Sequence, residues 1–268
     1  MKNALIATTR TYAIGDPHGM CYEFESLINM IEDDLGKNPV PQAKIVVMGD
    51  IIDRGNDSAG LVQTIVDLPK RFPSVEIIAI LGNHDRHLLQ IADGNLKYLT
   101  DWRSDDAGGK CTLRDYGVDP NIASNKISEA LTQALPAEHL VMFRNMPLLF
   151  DDGKTVFTHA GIRPGVAISN QLEEDLLFIR ADFLEYTGTL PRFVVHGHSP
   201  RRDPEIRPNR LNVDTGSGYG LTLTCGVLSG TSSTDIKFLS VPITRMPCTW
   251  KDIPRYEIFN PFDSEHAA

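Results

Sequence analysis

Three apolar runs in the first third of the chain each end in glycine followed by polar residues, and this repeat constrains the fold most. The runs Arg10–Gly15, Lys44–Met48 and Val75–Leu81 have the apolar, largely β-branched character of strands. Apolar residues at helical spacing lie between them, over Tyr22–Leu35 and again after Ser58, which is the predicted N-cap. Strands that alternate with helices predict an α/β fold with parallel pairing at its centre, where ligands bind outside the carboxyl ends of the strands.

The rest of the chain is predicted to add helices first and strands later. Residues 86–150 are expected to be a mainly helical insertion that caps the site, with helices near Ile127–Leu135 and Ala137–Asn145. A further helix is predicted near Glu173–Tyr186, and residues 244–268 are expected to form a loosely packed tail of one single domain. The later strands are predicted at Thr155–Thr158, Phe193–Val195, Leu211–Val213, Leu221–Leu228 and Asp235–Val241.

Composition and net charge indicate which kinds of binding partner are unfavourable. A hydrophobic content of 41% and a charged content of 23% are ordinary for a soluble globular protein. The net charge of −9 gives no electrostatic reason to bind a long nucleic acid or an anionic membrane. A small phosphorylated ligand stays compatible with this charge, because a local metal ion or arginine cluster can reverse the field. No sequence feature indicates an oligomeric state.

Cysteine usage and the absence of long apolar runs favour a cytoplasmic protein. The four cysteines are far apart and form no C-x-x-C pair, so neither a zinc ribbon nor a dense disulfide framework is expected. We therefore predict free thiols in a reducing compartment. The amino terminus lacks the apolar stretch of a signal peptide, and no run approaches about 18 apolar residues.

Five short segments combine a strand end with side chains that bind metals. They are Gly15–Gly19 (GDPHG), Gly49–Gly55 (GDIIDRG), Gly82–Asp85 (GNHD), Thr158–Gly161 (THAG) and Val195–Pro200 (VHGHSP). Each alone is weak, since Gly-Asp is a common turn and a single histidine usually serves packing. Together they offer carboxylates, an amide oxygen and imidazoles, which suit Mn, Fe or Zn. Two adjacent cations also need a shared anionic ligand.

These motifs resemble those of the calcineurin-like metallophosphoesterases, specifically the bacterial and phage members of the phosphoprotein phosphatase branch. The resemblance runs from about Arg10 to Leu228. It implies an α/β fold in which a two-sheet β sandwich is flanked by helices, with a two-metal site at the strand ends. It also implies two divalent cofactor ions, with Mn²⁺ favoured and Fe or Zn as alternatives.

The resemblance implies six protein ligands for the two ions. They are Asp16 and His18 for the first ion, Asp50 as the carboxylate shared by both, and Asn83, His159 and His198 for the second ion. His196 and His198 form a His-x-His pair, so either could be the ligand. The family's Gly-His-Thr-Pro pattern matches residues 197–200 and favours His198, which leaves His196 as the alternative.

The family's remaining roles concern proton transfer and phosphate binding. His84 matches the general acid that protonates the leaving alkoxide, and Asp53 would orient it. Arg54 matches a phosphate-binding arginine. A second such arginine is expected between the His159 and His198 motifs; Arg180 is the first choice, although it also suits a solvated helix surface, and Arg163 is the reserve. The implied reaction is attack on phosphorus by a metal-bridging hydroxide.

The resemblance leaves the substrate open among three functions. The first is a metal-dependent phosphomonoesterase, foremost a serine/threonine-type protein phosphatase with tyrosine as a further target, acting on a phosphoprotein or a small phosphoester. The second is a symmetrical diadenosine tetraphosphatase, because Gly-Asn-His-Asp85 followed by His-Leu-Leu resembles the motif of those enzymes. Against this, those enzymes depart from the Asp-Arg-Gly form of the second motif, which is intact here as Asp53-Arg54-Gly55. The third is a metal-binding scaffold without activity, which the complete set of ligands, acid and arginine disfavours.

Overall fold

The computed structural model describes residues 9–229, 236–245 and 247–248. Its strands form two five-stranded sheets. The first sheet contains β1 (Thr9–Ile14), β2 (Gln42–Val47), β3 (Val75–Ala79), β9 (Thr222–Leu228) and β10 (Ile236–Pro242), in the order β10-β9-β1-β2-β3. The second contains β4 (Leu149–Asp151), β5 (Thr155–Thr158), β6 (Phe193–His196), β7 (Glu205–Ile206) and β8 (Arg210–Asn212), in the order β4-β5-β6-β8-β7.

Parallel pairing lies in the middle of each sheet. In the first sheet β1 pairs with β2 and β2 with β3 in parallel, whereas β9 and β10 add antiparallel strands at one edge. In the second sheet β5, β6 and β8 run parallel. The predicted α/β fold with two sheets and flanking helices is therefore confirmed, and the carboxyl ends of the parallel strands point to one common region.

Helices occupy the connections between strands. They are α1 (Cys21–Lys37), α2 (Ser58–Arg71), α3 (Asn83–Ala92), α4 (Leu99–Trp102), α5 (Gly109–Asp115), α6 (Ile127–Ala134), α7 (Ala137–Asn145), α8 (Glu173–Phe178) and α9 (Ala181–Leu184). The predicted N-cap of α2 is wrong by one residue. Asp57 caps this helix, because its carboxylate accepts the N–H of Gly60 at 2.8 Å. Ser58 instead directs its hydroxyl to Thr112.

The apolar side chains form three clusters that hold the two sheets and the helices together. Alternate residues of a strand point to opposite faces, so Ala13 and Val46 contact the second sheet, while Tyr12 and Ile45 face the helices. A third cluster lies on the outer face of the second sheet and includes Phe183 of α9. This arrangement buries both faces of the central strands and leaves their ends free for other roles.

The single helix predicted near Glu173–Tyr186 is two helices in the structure. α8 ends at Phe178, and Arg180, with φ −130° and ψ −99°, departs from helical geometry before α9 begins. The break keeps Ile179 buried in the third cluster. It also places Arg180 outside both helices, so the alternative of an arginine on a continuous helix surface does not apply.

One pair of cysteines differs from expectation, and the first residue of the predicted tail contacts α1. Cys111 of α5 and Cys248 form a disulfide across 137 residues, whereas free thiols were predicted. The Thr244 hydroxyl donates to the buried carboxylate of Glu23 at 3.1 Å. The remainder of the predicted tail, from residue 249 onward, lies outside the described residues. No helix in the described part of the chain is long and apolar enough to cross a membrane.

Candidate metal centre

The loops after five strands converge on one buried site. Asp16 and His18 follow β1, Asp50 follows β2, Asn83 and His84 begin α3 after β3, His159 follows β5, and His198 follows β6. The side chains are 0 to 9% exposed. His159 is central to the site, because its Nε2 lies 2.9 Å from Asn83 Oδ1 and 3.4 Å from Asp50 Oδ1. The structure thus brings together every residue predicted to bind metal.

The backbone is turned into the left-handed region at several site residues. Among the described residues other than glycine, positive φ angles occur at His18 (44°), Asp50 (49°), Asp53 (73°), Arg54 (64°) and His198 (63°). Each such conformation costs on the order of 1–3 kcal/mol and persists only where the surroundings enforce it. All five were predicted from the motifs to be functional, so the strain of the described backbone is concentrated in this site.

Two groups of three side chains each bring one ligand atom within 4.8 Å of one another, and both groups contain Asp50. The groups are His18, Asp50 and His84, and Asp50, His159 and His198. A carboxylate shared by two clusters is the arrangement that two neighbouring cations require. The geometry therefore suits a pair of divalent ions with imidazole and carboxylate ligands.

Asp16 lies beside these groups with one oxygen unused. Its Oδ2 accepts the backbone N–H of His198 at 2.8 Å, whereas its Oδ1 is buried without a hydrogen-bond partner. A Cβ atom at Gly197 would come within 1.9 Å of this Oδ1, so glycine keeps the oxygen clear. Since an unpaired buried carboxylate oxygen is costly, a cation at this position is the fitting partner.

The charge states expected for three histidines and Asp50 near neutral pH also suit metal binding. Burial, followed by neighbouring positive charge, lowers the pKa of His18 and His198, and burial likewise lowers the pKa of His159. These imidazoles are therefore neutral, which is the form that binds a metal. Burial acts to raise the pKa of Asp50, but the surrounding histidines outweigh it and hold that pKa below its usual range.

His84 differs from the other histidines in its partners. Its Nδ1 donates to Asp53 Oδ2 at 2.7 Å, and its Nε2 lies 3.4 Å from Arg54 Nη2 and 3.9 Å from Asp50 Oδ2. Burial alone would lower the pKa of His84, but the carboxylates of Asp50 and Asp53 shift it upward overall. An imidazole that is held by a carboxylate and has a raised pKa suits proton donation better than metal binding.

Two donors that the sequence analysis did not identify also bind Asp53. Trp102 Nε1 donates to Oδ2 at 2.7 Å, and the Thr112 hydroxyl donates to Oδ1 at 2.5 Å. Both residues are fully buried and lie 49 and 59 positions from Asp53 in the sequence. No local sequence pattern marks such distant contacts, so only the fold identifies these two residues.

The arginines predicted to bind phosphate occupy different surroundings. The Arg54 guanidinium lies 4.6 Å from the centre of the Tyr219 ring, and its Nη1 is 2.8 Å from His18 Nε2. Arg180 is exposed and donates to the Ser199 hydroxyl at 3.3 Å. The reserve choice, Arg163, is bound to two carboxylates, so the geometry favours Arg180. These partners are Asp175 and Asp182, at 2.5 and 2.8 Å.

His196 and Asp85 both turn away from the ligand atoms. His196 packs edge-on against Phe183, and burial lowers its pKa to about 3. It belongs to neither group of ligand atoms, whereas His198 does. The Asp85 carboxylate accepts the backbone N–H groups of Ile51 and Gly82, each at 3.0 Å. Asp85 thus ties two loops together inside the protein, which shows that this position fixes the loops and does not line the pocket.

An aromatic group borders the site next to His84. The rings of His87 and Tyr98 stack with centroids 4.9 Å apart, and Phe178 lies 6.1 Å from His87 and 6.4 Å from His198. Phe178 is 41% exposed, although phenylalanine is usually buried. Aromatic rings therefore lie directly beside His84 and His198 of the site.

Comparisons with known proteins agree with this geometry. The sequence profile described as calcineurin-like phosphoesterase matches residues 9–215. A relative from Anoxybacillus flavithermus, bis(5'-nucleosyl)-tetraphosphatase PrpE (asymmetrical), is 28% identical and covers 93% of this chain and 98% of its own length.

Two solved structures are similar in fold. A putative diadenosine tetraphosphatase has a TM-score of 0.58 at 22% identity, over 88% of this chain and 94% of its own. A protein serine/threonine phosphatase from Saccharomyces cerevisiae, with similarity to human phosphatase PP5, has a TM-score of 0.52 at 15% identity, over 92% and 85%. Such likeness describes the fold and leaves the substrate to the chemistry of the site.

Proposed function

The chain belongs to the calcineurin-like phosphoesterase family, and we propose that it hydrolyses phosphomonoesters as a serine/threonine-type protein phosphatase. Two divalent metal ions would be its cofactors. Metal-dependent hydrolysis of phosphoesters follows from the family. The observation that carries the narrower proposal is the pairing of His84 with Asp53 directly beside Asp50, which both groups of ligand atoms share.

Six residues would hold the metal ions: Asp16, His18, Asp50, Asn83, His159 and His198. When bound, the ions supply positive charge for the phosphoryl oxygens and an activated water. Mn²⁺ is the ion we propose first, because a mixed set of carboxylate, amide and imidazole ligands suits it. The neutral state of the buried imidazoles supports this set of ligands.

The protein's own side chains bind the phosphate and move a proton. Arg54 offers a planar guanidinium that can bind two phosphate oxygens, and Arg180 approaches from the side of Ser199. His84 Nε2 points into the pocket because Nδ1 is bound to Asp53. A proton on Nε2 can therefore pass to the oxygen that leaves phosphorus.

The need for this acid distinguishes two classes of substrate. A serine or threonine alkoxide is a strong base and leaves poorly unless it is protonated, whereas a phosphate group that leaves from an anhydride is a weak base. A buried histidine with a raised pKa and a dedicated carboxylate is most useful for the first class. This reasoning favours phosphomonoesters, including phosphoproteins, over dinucleoside polyphosphates.

A dinucleoside polyphosphatase is the second candidate. Two similar proteins carry names of this activity, and the rings of His87, Tyr98 and Phe178 border the site where a base could stack. The Gly-Asn-His-Asp85 motif resembles that of the symmetrical enzyme, whereas the Anoxybacillus relative is named as asymmetrical. An inactive scaffold is disfavoured, because the described site contains the acid, its carboxylate, the arginine and all proposed ligands.

Replacing the proposed acid tests the function directly. In Mn²⁺-loaded protein, His84→Asn should lower turnover of phosphoserine by about 10²–10⁴-fold, the usual contribution of a general acid. Turnover of 2,4-dinitrophenyl phosphate should change far less, because its leaving group needs no proton. Metal content, measured by elemental analysis, should stay the same. Unchanged phosphoserine turnover would refute the role of His84.

A comparison of substrates separates the candidate functions. Wild-type protein would be offered peptides with phosphoserine, phosphothreonine or phosphotyrosine, and separately diadenosine tetraphosphate. Preferential cleavage of the peptides supports the proposal, and preferential cleavage of the dinucleotide supports the second candidate. If the loaded protein cleaves none of them and also leaves dinitrophenyl phosphate intact, the inactive scaffold is the correct description.

A further inference from the structure

We propose that Trp102 and Thr112 are positioning residues that orient Asp53, and through it His84, for protonating a strongly basic leaving oxygen. The inference rests on the proposed function, since it assumes that His84 is the acid. It assigns a role in the reaction to the segment that contains α4 and α5, which the sequence analysis described only as part of a cap over the site.

Both carboxylate oxygens of Asp53 accept hydrogen bonds from buried side chains. Oδ2 accepts from His84 Nδ1 and Trp102 Nε1, both at 2.7 Å, and Oδ1 accepts from the Thr112 hydroxyl at 2.5 Å. Thr112 Oγ1 also accepts the backbone N–H of Asp53 at 3.0 Å. Thr112 therefore binds the side chain and the backbone of the same residue, which prevents rotation of the carboxylate.

This arrangement also holds a strained backbone in place. Asp53 has a φ of 73° and is completely buried, so its conformation must be enforced by its neighbours. The paired bonds with Thr112 are the most direct such restraint. With the carboxylate fixed, Nδ1 of His84 must point at Asp53, and Nε2 is left to face the pocket.

The helix that carries Thr112 is itself anchored from several sides. Ser58 N, at the start of α2, donates to the carboxylate of Asp115 at the end of α5, at 2.6 Å. Next to Thr112, Cys111 is joined to Cys248, whose backbone N–H donates to the Arg54 carbonyl at 2.7 Å. α5 is thus fixed against both the start of α2 and the arginine loop, so Thr112 is a firm support.

Trp102 is held as tightly from the opposite side. Gly109, the first residue of α5, lies against the indole so closely that a Cβ atom would come within 2.4 Å of its Cδ2 atom. The indole is fully buried, and its N–H points at Asp53. Two rigid donors from separate helices therefore converge on the carboxylate that accepts from His84.

A positioning role predicts a loss that depends on the leaving group. Thr112→Val keeps the shape of the side chain but removes the hydroxyl. We expect it to lower kcat for phosphoserine by about 10–100-fold, the range found when a partner that orients a site residue is removed. Turnover of 2,4-dinitrophenyl phosphate should stay within about 3-fold, because that leaving group needs no acid. Thr112→Ser restores the hydroxyl and should recover most of the phosphoserine activity.

Two further variants keep the test decisive. Thr132→Val removes a hydroxyl that bonds only to backbone carbonyls of Ala92 and Ser128, and both substrates should be turned over as by the wild type. Trp102→Phe removes the indole N–H and should show the same dependence on the leaving group. If Thr112→Val fails to fold, Trp102→Phe decides the question alone.

The outcomes distinguish failure of the positioning role of Trp102 and Thr112 from failure of the proposed acid, His84. Equal losses on both substrates, or no loss on either, in a folded Thr112→Val or Trp102→Phe protein would overturn the positioning role. If His84→Asn shows the dependence on the leaving group but these variants do not, the positioning inference alone is wrong. If His84→Asn itself lacks that dependence, the proposed acid is wrong and the inference falls with it.

Discussion

The two arginines that face the pocket are held in opposite ways. Arg54 is half-buried, and its Nε donates to the Asp106 carbonyl at 3.2 Å. Its guanidinium stacks on the Tyr219 ring, and its backbone carbonyl accepts the N–H of Cys248. The Arg180 side chain is exposed, and its guanidinium donates to the Ser199 hydroxyl at 3.3 Å. A side chain held by several contacts is positioned before a ligand binds, whereas an exposed side chain such as Arg180 loses more conformational freedom when it binds one.

The residues around the two arginines differ in the same way, with many fixed contacts near Arg54 and more exposure near Arg180. The side of Arg54 also contains the His84–Asp53 pair and its two donors, all tied to α4 and α5. The side of Arg180 lies in the break between α8 and α9, next to the exposed ring of Phe178. We call the first the rigid side and the second the loose side, and we expect substitutions on the rigid side to act mainly on kcat and those on the loose side mainly on KM.

The largest effect is expected on the rigid side. Arg54→Lys removes the planar fork and its stacking on Tyr219, and a lysine ammonium cannot bind two oxygens in the same way. We expect kcat to fall by about 100-fold, comparable to the loss of one donor to a developing charge. Steady-state kinetics with dinitrophenyl phosphate measure this effect without involving the acid.

Arg180→Lys tests the loose side and should have a smaller effect. Because this guanidinium is exposed and must be ordered on binding, we expect about a 10-fold loss or less, seen mainly as a higher KM. Arg163→Lys is the matched control, since Arg163 is paired with Asp175 and Asp182 outside the proposed machinery, and it should leave both constants unchanged. A larger loss in kcat for Arg180→Lys than for Arg54→Lys would reverse the comparison.

The smallest effect on turnover is expected from the disulfide. Cys111→Ser removes a crosslink that closes a long loop, so thermal unfolding should shift downward by an amount equivalent to about 2–4 kcal/mol. The hydrogen bonds of Thr112 and Trp102 remain, so turnover below the unfolding temperature should stay within about 3-fold. Cys21→Ser, at a free cysteine, is the control. A collapse of activity without unfolding would mean that the crosslink itself orders the Arg54 loop.

The two sides also differ in how much the sequence could predict. The proposed ligands lie at strand ends within short motifs, where local rules for strands, turns and parallel sheets determine which loops meet. His84 and Arg54 come from the same motifs, and the structure places both in the pocket. Their roles as acid, ligand or phosphate binder stay predictions, as experiments on metal-loaded protein must decide them.

Contacts between distant residues could not be predicted in this way. Trp102 and Thr112 reach Asp53 from helices whose packing depends on the whole fold, and nothing in their immediate sequence marks them. The bond between Cys111 and Cys248 spans 137 residues for the same reason. Arg180 was chosen by position in the sequence, yet its exposure to the pocket depends on a helix break that apolar periodicity did not indicate.

Asp85 shows that a residue of a site motif can serve the backbone of the protein. In the sequence, Asp85 after Gly-Asn-His is part of the resemblance to diadenosine tetraphosphatases. In the structure the carboxylate binds the N–H groups of Ile51 and Gly82 within the protein interior. The aspartate side chain therefore joins two loops of the site, and the resemblance of its motif to tetraphosphatases stays a prediction about the substrate.

The left-handed backbone at His18, Asp50, Asp53, Arg54 and His198 limits which mutations this site can accept during evolution. Isoleucine, valine and threonine are strongly disfavoured there whatever their chemistry, while asparagine, aspartate, histidine and glycine are tolerated best. A lineage that loses activity can thus keep the same amino acids at these positions for conformational reasons alone. Retention of these motifs in a relative is evidence of a shared backbone first, and evidence of a shared reaction only when the supporting contacts persist as well.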